Sequence, residues 1–285
     1  MKLKFIGIFL LTFFIGYVFL ARFVSVPPKK TSAQTEPVKV ELIKPELMTK
    51  PTELTEPKID YVEEETPAYK IDLLITGAFH GDEVAAKSGE IWLGLFNEKG
   101  KSYLAFTKLK VSLVRDEVLD NQTKEFTGKK VSVKNRAELI FLLKKASMLK
   151  PGEVSTVHFP KAGEASGEPL KTGFTQNYNI GKSVFTIKYN DYSYSKVEDS
   201  GGVRDVFAHE LILSGNGKEQ LLSSPNDRAY SYNLLWAGDL DRDGKLDLYI
   251  ETSGENFTAY GLYLSSEAEE GKLVKEVAGF GSTGC

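Results

Sequence analysis

The chain has 285 residues, with 36 Lys plus Arg against 39 Asp plus Glu and a formal net charge of −3. That length suits one large domain or two modest ones, and the near-neutral balance gives no general case for nucleic-acid binding. The single cysteine, Cys285, excludes an internal disulfide framework.

Residues 1–26 read as a membrane-targeting segment. Lys2 and Lys4 precede an uncharged run from Phe5 to Ala21. That run sits at the short end of what a spanning helix needs, about 20 apolar residues. Arg22 can reach the headgroups and let Phe23 and Val24 extend the span. Cleavage after Ala21 or Ser25 would place Phe19 or Phe23 at the −3 position, where a small residue is wanted. The expectation is an uncleaved single-pass anchor in the cell membrane, with the folded part on the exported, periplasmic or extracellular side. Secretion after cleavage is the alternative.

Residues 27–70 read as a linker. Seven of the eleven prolines fall here, from Pro27 to Pro67, among lysines and glutamates. Such a stretch buries too little to offset its ordering entropy. As an extended Pro-rich spacer it reaches roughly 100 Å or more, at about 3.1 Å per residue. In composition, an anchor followed by alternating Pro, Lys and Glu resembles the TonB family, which implies an envelope adaptor whose linker contacts partners.

From residue 71 the pattern predicts a mainly β fold, a β-sandwich or barrel-like arrangement. A first β-rich subdomain is expected at 71–160, with strands at Ile71–Ile75, Glu90–Phe96, Ser102–Phe106, Leu109–Leu113 and Val131–Val133. Residues 136–149 are ambiguous. Asn135 and Glu138 fit a helix capping box, yet Leu139–Leu143 is apolar on every side, as in a central strand. A loose connection follows at 161–180. A second β-rich subdomain is expected at 181–285, with strands at Ser183–Tyr189, Leu211–Leu213, Tyr232–Trp236, Leu246–Glu251, Tyr260–Leu264 and Leu273–Val277.

The most informative stretch lies in that second part: Asp239-Leu240-Asp241-Arg242-Asp243-Gly244-Lys245-Leu246-Asp247. Four carboxylates within nine residues repel one another unless a cation sits between them. Alternating aspartates from a tight loop suit a hard cation that takes six to eight oxygens. Gly244 permits the positive φ of a sharp reversal. Asp239, Asp241, Asp243 and Asp247 are the expected side-chain ligands, and Lys245 would offer its backbone C=O. Calcium fits better than magnesium, which demands stricter geometry. No His or Cys lies in the loop to recruit zinc or copper. Ile250 stands where an EF-hand needs Glu, and the flanks have a strand period, so the loop is expected at a β-hairpin tip. Ala237–Leu248 resembles the calcium hairpin of FG-GAP, integrin-α-like repeats. The resemblance covers one copy and implies structural calcium on the equivalent aspartates.

Other constellations carry less. His80-Gly81-Asp82-Glu83 sets an imidazole beside two acids in a loop, where a metal or acid–base role or a plain polar turn are both open. His209-Glu210 begins like a zincin motif, but residue 213 is Leu. His158 lies in an alternating run. Asp116, Glu117, Asp120 and Glu125 offer carboxylate pairs of the kind glycoside chemistry uses, which separation decides. Tyr189, Tyr192 and Tyr194 form either a glycan platform or cross-strand packing. Asn121 and Asn256 begin glycosylation sequons. Cys285 has no local partner to lower its pKa. No catalytic residue is assigned. The sequence points to a calcium-stabilised recognition or assembly domain with a protein or glycan partner in the envelope and no nucleic acid. An exported hydrolase with structural calcium is the alternative.

Overall fold

The structure is a computed structural model. It describes residues 69–283 apart from 121–124, 135–136, 160–167, 198–201 and 224–230, and over 193–197 and 203–207 it describes the backbone alone. The expected anchor, the linker up to residue 68, Asn121 and Cys285 lie outside the described residues.

All the regular structure among the described residues is strand. The first half supplies β1 (Asp72–Leu74), β2 (Gly77–Phe79), β3 (Ile91–Glu98), β4 (Lys101–Val114), β5 (Gly128–Val133), β6 (Glu138–Lys144) and β7 (Gly152–His158). Next come β8 (Phe174–Ile180), β9 (Ser183–Val197), β10 (Val203–Gly215) and β11 (Lys218–Leu221). The last four are β12 (Ser231–Asp239), β13 (Asp247–Ser253), β14 (Phe257–Leu264) and β15 (Lys275–Thr283).

The larger sheet runs β1-β6-β3-β4-β7-β12-β13-β14-β15, with β5 branching from β4 and β2 from β5. Its end strands β1 and β15 lie against each other without ladder hydrogen bonds, so the sheet is a nearly closed barrel. The smaller sheet is the antiparallel set β11-β10-β9-β8. The expected mainly β, barrel-like class is what forms.

The expected boundaries change in three places. First, β7 pairs with both β4 and β12, so one sheet runs through the two stretches read as separate subdomains. Second, the connection placed at 161–180 contains β8. Third, Tyr69, assigned to the linker, belongs to the fold. Its hydroxyl donates to Glu276 Oε1 at 2.6 Å, and its ring packs where a side chain on Gly279 would stand.

The ambiguous stretch 136–149 contains strand β6, for a packing reason. Phe141 and Leu143 point into the barrel beside Leu95 and Leu104. Leu142 faces the other way, among Trp92, Phe79, Leu109 and Val131 beneath the β2–β5 flap. A strand covered on both faces reads as a continuous apolar run.

The same holds for β12 and β13. Leu234, Leu248 and Ile250 pack against Phe185, Ile187 and Leu213 of the smaller sheet. Trp236 and Tyr249 fill the barrel with Phe141 and Leu262. A bulge between Leu234 and Trp236 lets Leu235 and Trp236 both lean toward the barrel. The β12–β13 hairpin is therefore clamped between two cores, and its tip is the aspartate loop. Gly238, just before that loop, has no room for a side chain: a Cβ there would lie 2.1 Å from the Ser155 carbonyl oxygen and 2.5 Å from the Trp236 ring.

Candidate metal centre

Asp239 closes β12 and Asp247 opens β13, with Asp247 opposite Gly238 in the register. Between them the chain reverses through two left-handed residues, Arg242 at φ 65° and Gly244 at φ 80°. Arginine rarely adopts that conformation. Here its side chain reaches across to β7 and the turn before it, donating from Nη1 to the Lys150 carbonyl and from Nε to the Glu153 carbonyl, each at 3.1 Å. The loop is thus tied to the neighbouring turn as well as to its own hairpin.

Asp247 is fully buried and organises the loop. Its Oδ2 accepts from the Leu240 N–H at 2.7 Å, and its Oδ1 from the Ser265 N–H at 2.8 Å and the Ser265 hydroxyl at 2.9 Å. Asp241 Oδ1 accepts the Asp243 N–H at 3.1 Å, and its Oδ2 accepts the Ser266 hydroxyl. Asp239 Oδ2 accepts the Gly244 N–H at 3.1 Å, whereas its Oδ1 is buried and has no hydrogen-bond partner. A buried acceptor left unmade is costly.

One carboxylate oxygen from each of Asp239, Asp241 and Asp247 lies within 4.8 Å of the others. Calcium–oxygen distances of 2.3–2.6 Å put opposite ligands about 4.6–5.2 Å apart, so an ion of that size fits between these three. Electrostatics point the same way. Burial raises the Asp239 carboxyl above the ordinary range, with Asp241 and Asp243 adding to it. Burial, then the charge of Asp241, pushes Asp247 up to about 7. These carboxylates resist ionising together, and a cation between them reverses that balance.

Asp243 and Lys245, the other two expected ligands, face one another. The Lys245 ammonium lies 3.1 Å from Asp243 Oδ2, and the Ser265 hydroxyl, its one proton shared with Asp247 Oδ1, lies 3.0 Å from Asp243 Oδ1. Asp243 therefore stands beside the three-carboxylate group rather than within it. Ser265 and Ser266 were invisible to sequence reasoning. They follow β14, and the β13–β14 pairing brings them to the loop. No local signal distinguishes them from any Ser-Ser pair.

The remaining constellations build structure. His80 Nδ1 lies 2.5 Å from Asp116 Oδ2. The other Asp116 oxygen accepts from the N–H groups of Val118 and Leu119. Asp120 accepts from the Asp116 and Thr127 N–H groups and the Thr127 hydroxyl. These two carboxylates are saturated loop builders, and Glu117 and Glu125 are exposed beside them. Glu83 ties the same loop to β15 through Ser282 and Thr283. The Asp116 hydrogen bond raises the His80 pKa, and the His80 hydrogen bond lowers that of Asp116.

The sign of the pH effect follows. The stabilisation from His80 is complete below about 6.5, its unfolded value, and is lost as pH rises through the higher folded value. His80→Ala is therefore expected to lower the melting temperature more in mildly acidic than in alkaline buffer, measured with thermal scans at both.

His209 lies inside β10, with Nδ1 2.8 Å from the Tyr189 hydroxyl, so no zincin geometry arises. His158 Nε2 meets the Leu234 carbonyl at 2.9 Å. Tyr189 is buried and Tyr192 exposed on opposite faces of β9, so these two form no common platform. Asn256 is exposed between β13 and β14.

The fold and loop define a barrel-like β-protein whose central hairpin ends in a cluster of three aspartates. No family model, curated protein or solved structure matches the chain.

Proposed function

We propose that this is a membrane-anchored envelope protein whose β-domain is stabilised by calcium and serves recognition or assembly. The observation that carries the reading is the convergence of Asp239, Asp241 and Asp247 on one point, with Asp239 Oδ1 buried and unpartnered there. A divalent cation satisfies that oxygen and removes the repulsion that burial has amplified. The all-oxygen set and the hairpin's resemblance to FG-GAP calcium loops support calcium over zinc or copper. The metal's role is structural: it fixes the hairpin that both cores clamp. The anchor and linker come from sequence, and they carry the assignment to the exported side of the cell membrane. Extracellular modules commonly work at about 10⁻⁴–10⁻³ M calcium, which suits that location.

Thermal unfolding of the full chain in calcium, in magnesium and in EDTA tests this reading. Calcium at a hundredfold excess over Kd is expected to stabilise by about 2.7 kcal/mol, and magnesium by far less. Asp241→Asn removes a ligand charge while keeping the hydrogen-bonding shape. The variant is expected to match or exceed the parent in EDTA and to gain nothing from calcium. A parent protein that ignores calcium rejects the proposal.

A further inference from the structure

The β4–β5 ribbon carries a surface that the metal reading does not use. Leu104 of β4 faces the barrel core, and the two-residue repeat of a strand continues that side as Phe106, Lys108, Lys110 and Ser112. The register sets Ser132 opposite Lys110 and Lys130 opposite Ser112, with Lys134 just past the end of β5. Ile91 of β3 stands opposite Lys108, and Ala78 of β2 opposite Lys130. Lys108, Lys110, Lys130 and Lys134 are all exposed, and among the described residues this face holds no carboxylate. Phe106 is 65% exposed and Ile91 57%. On the flanking segments, Glu90 and Asp72 are already paired with Lys144 and Lys145. A lysine-only face is a marked asymmetry on a chain of net charge −3.

The same ribbon ends in an apolar tip. Leu113, Val118, Leu119 and Phe126 are 69%, 46%, 62% and 56% exposed. These side chains stand on a rigid base. Asp116 caps the turn below Val118 and Leu119, Asp120 ties it to Thr127, and Arg115 donates to the Asp120 carbonyl at 3.0 Å. Two buried carboxylates are thus used to hold aliphatic side chains out in water. Exposed apolar clusters of this kind mark interaction sites.

We infer that this ribbon docks on an anionic lipid bilayer, with the tip entering the acyl boundary and the lysines at the headgroups. The pairing of aliphatic tip with lysine face selects the occupant. Apolar side chains flanked by lysines match the layered polarity of a membrane interface. A nucleic acid would use the lysines and could stack on Phe106 and Phe126, but it would give the aliphatic Leu113, Val118 and Leu119 nothing to contact. Glu117 and Glu125 are exposed acids of the tip and Asp82 is exposed in the loop packed on its base, and Arg115 with the four lysines outweighs all three. This contact is separate from the N-terminal anchor and does not depend on calcium.

A polarity-sensitive dye at Leu119→Cys, in a Cys285→Ser background, tests it on the full chain. The protein is reconstituted into phosphatidylcholine vesicles with or without phosphatidylglycerol. Because the dye reports the tip alone, attachment through the N-terminal segment does not affect the reading. The expected result is a blue shift, and quenching by spin-labelled lipid, in anionic vesicles only, both reversed by high salt. Changing the four lysines to Gln should weaken tip insertion about a thousandfold, at roughly fivefold per lysine near an anionic surface. A dye that stays in water on both vesicles overturns the inference, as does an equal shift on neutral vesicles. A shift produced instead by added DNA or an acidic polypeptide overturns it too and reassigns the face.

Discussion

In EDTA the protein is expected to lose stability as pH rises from about 4 to about 7, and calcium is expected to cancel that loss. The cause is Asp247, whose carboxyl is moved from an ordinary 3.8 to about 7 by burial and by the neighbouring Asp241. A carboxyl with a raised folded value holds its proton in the native state over a range where the unfolded chain has released it. Stability therefore falls with rising pH through that window. The full span corresponds to about 4 kcal/mol for this one group. Under the proposed reading calcium would bind the ionised form, so its stabilising effect should grow with pH over the same window. The difference between melting curves in calcium and in EDTA isolates this effect from His80, which shares its direction but not its metal dependence. A pH profile that is flat in EDTA would remove the buried, charged loop from the account.

Asp247→Ala is expected to be the most damaging single change in the loop, costing about 3–5 kcal/mol in EDTA near pH 4, where the native carboxyl holds its proton, and more in calcium. The substitution strands the Leu240 and Ser265 N–H groups in a buried place, while the Ser265 hydroxyl keeps Asp243 Oδ1 as an acceptor. Each such orphan costs about 1–3 kcal/mol. For a domain of this size the melting temperature should fall by roughly 6–20 °C, at about 2–4 °C per kcal/mol. The contrast with Asp241→Asn is the informative part. Asp241 is half-exposed and supplies charge, so its change should cost stability only in calcium and relieve repulsion in EDTA. Asp247 supplies both charge and architecture, so its change should act in EDTA as well. Equal, calcium-dependent losses for the two variants would mean that Asp247 is only a ligand.

Much of this was written locally. The β class followed from short apolar runs between turn residues. The hairpin tip was legible because Asp-rich alternation and Gly244 lie within nine consecutive residues. The Asn216-Gly217 turn, with φ of 50° and 74°, behaves as its dipeptide predicts.

Other features depended on distant partners. Residues 138–144 became strand because Leu142 meets the flap core while Phe141 and Leu143 meet the barrel. No local window reveals that both faces are covered. One sheet runs through both expected subdomains because β7 pairs across to β12, a contact between residues about eighty apart. Around the loop, sequence supplied the aspartates but could not rank them. Tertiary structure drew Asp243 aside with Lys245 and Ser265, left Asp239 Oδ1 alone in the interior, and brought Ser266 to Asp241. Composition and spacing determine which charges a chain concentrates. Burial and partners from other strands determine which of those charges stay uncompensated, and so where a cation belongs.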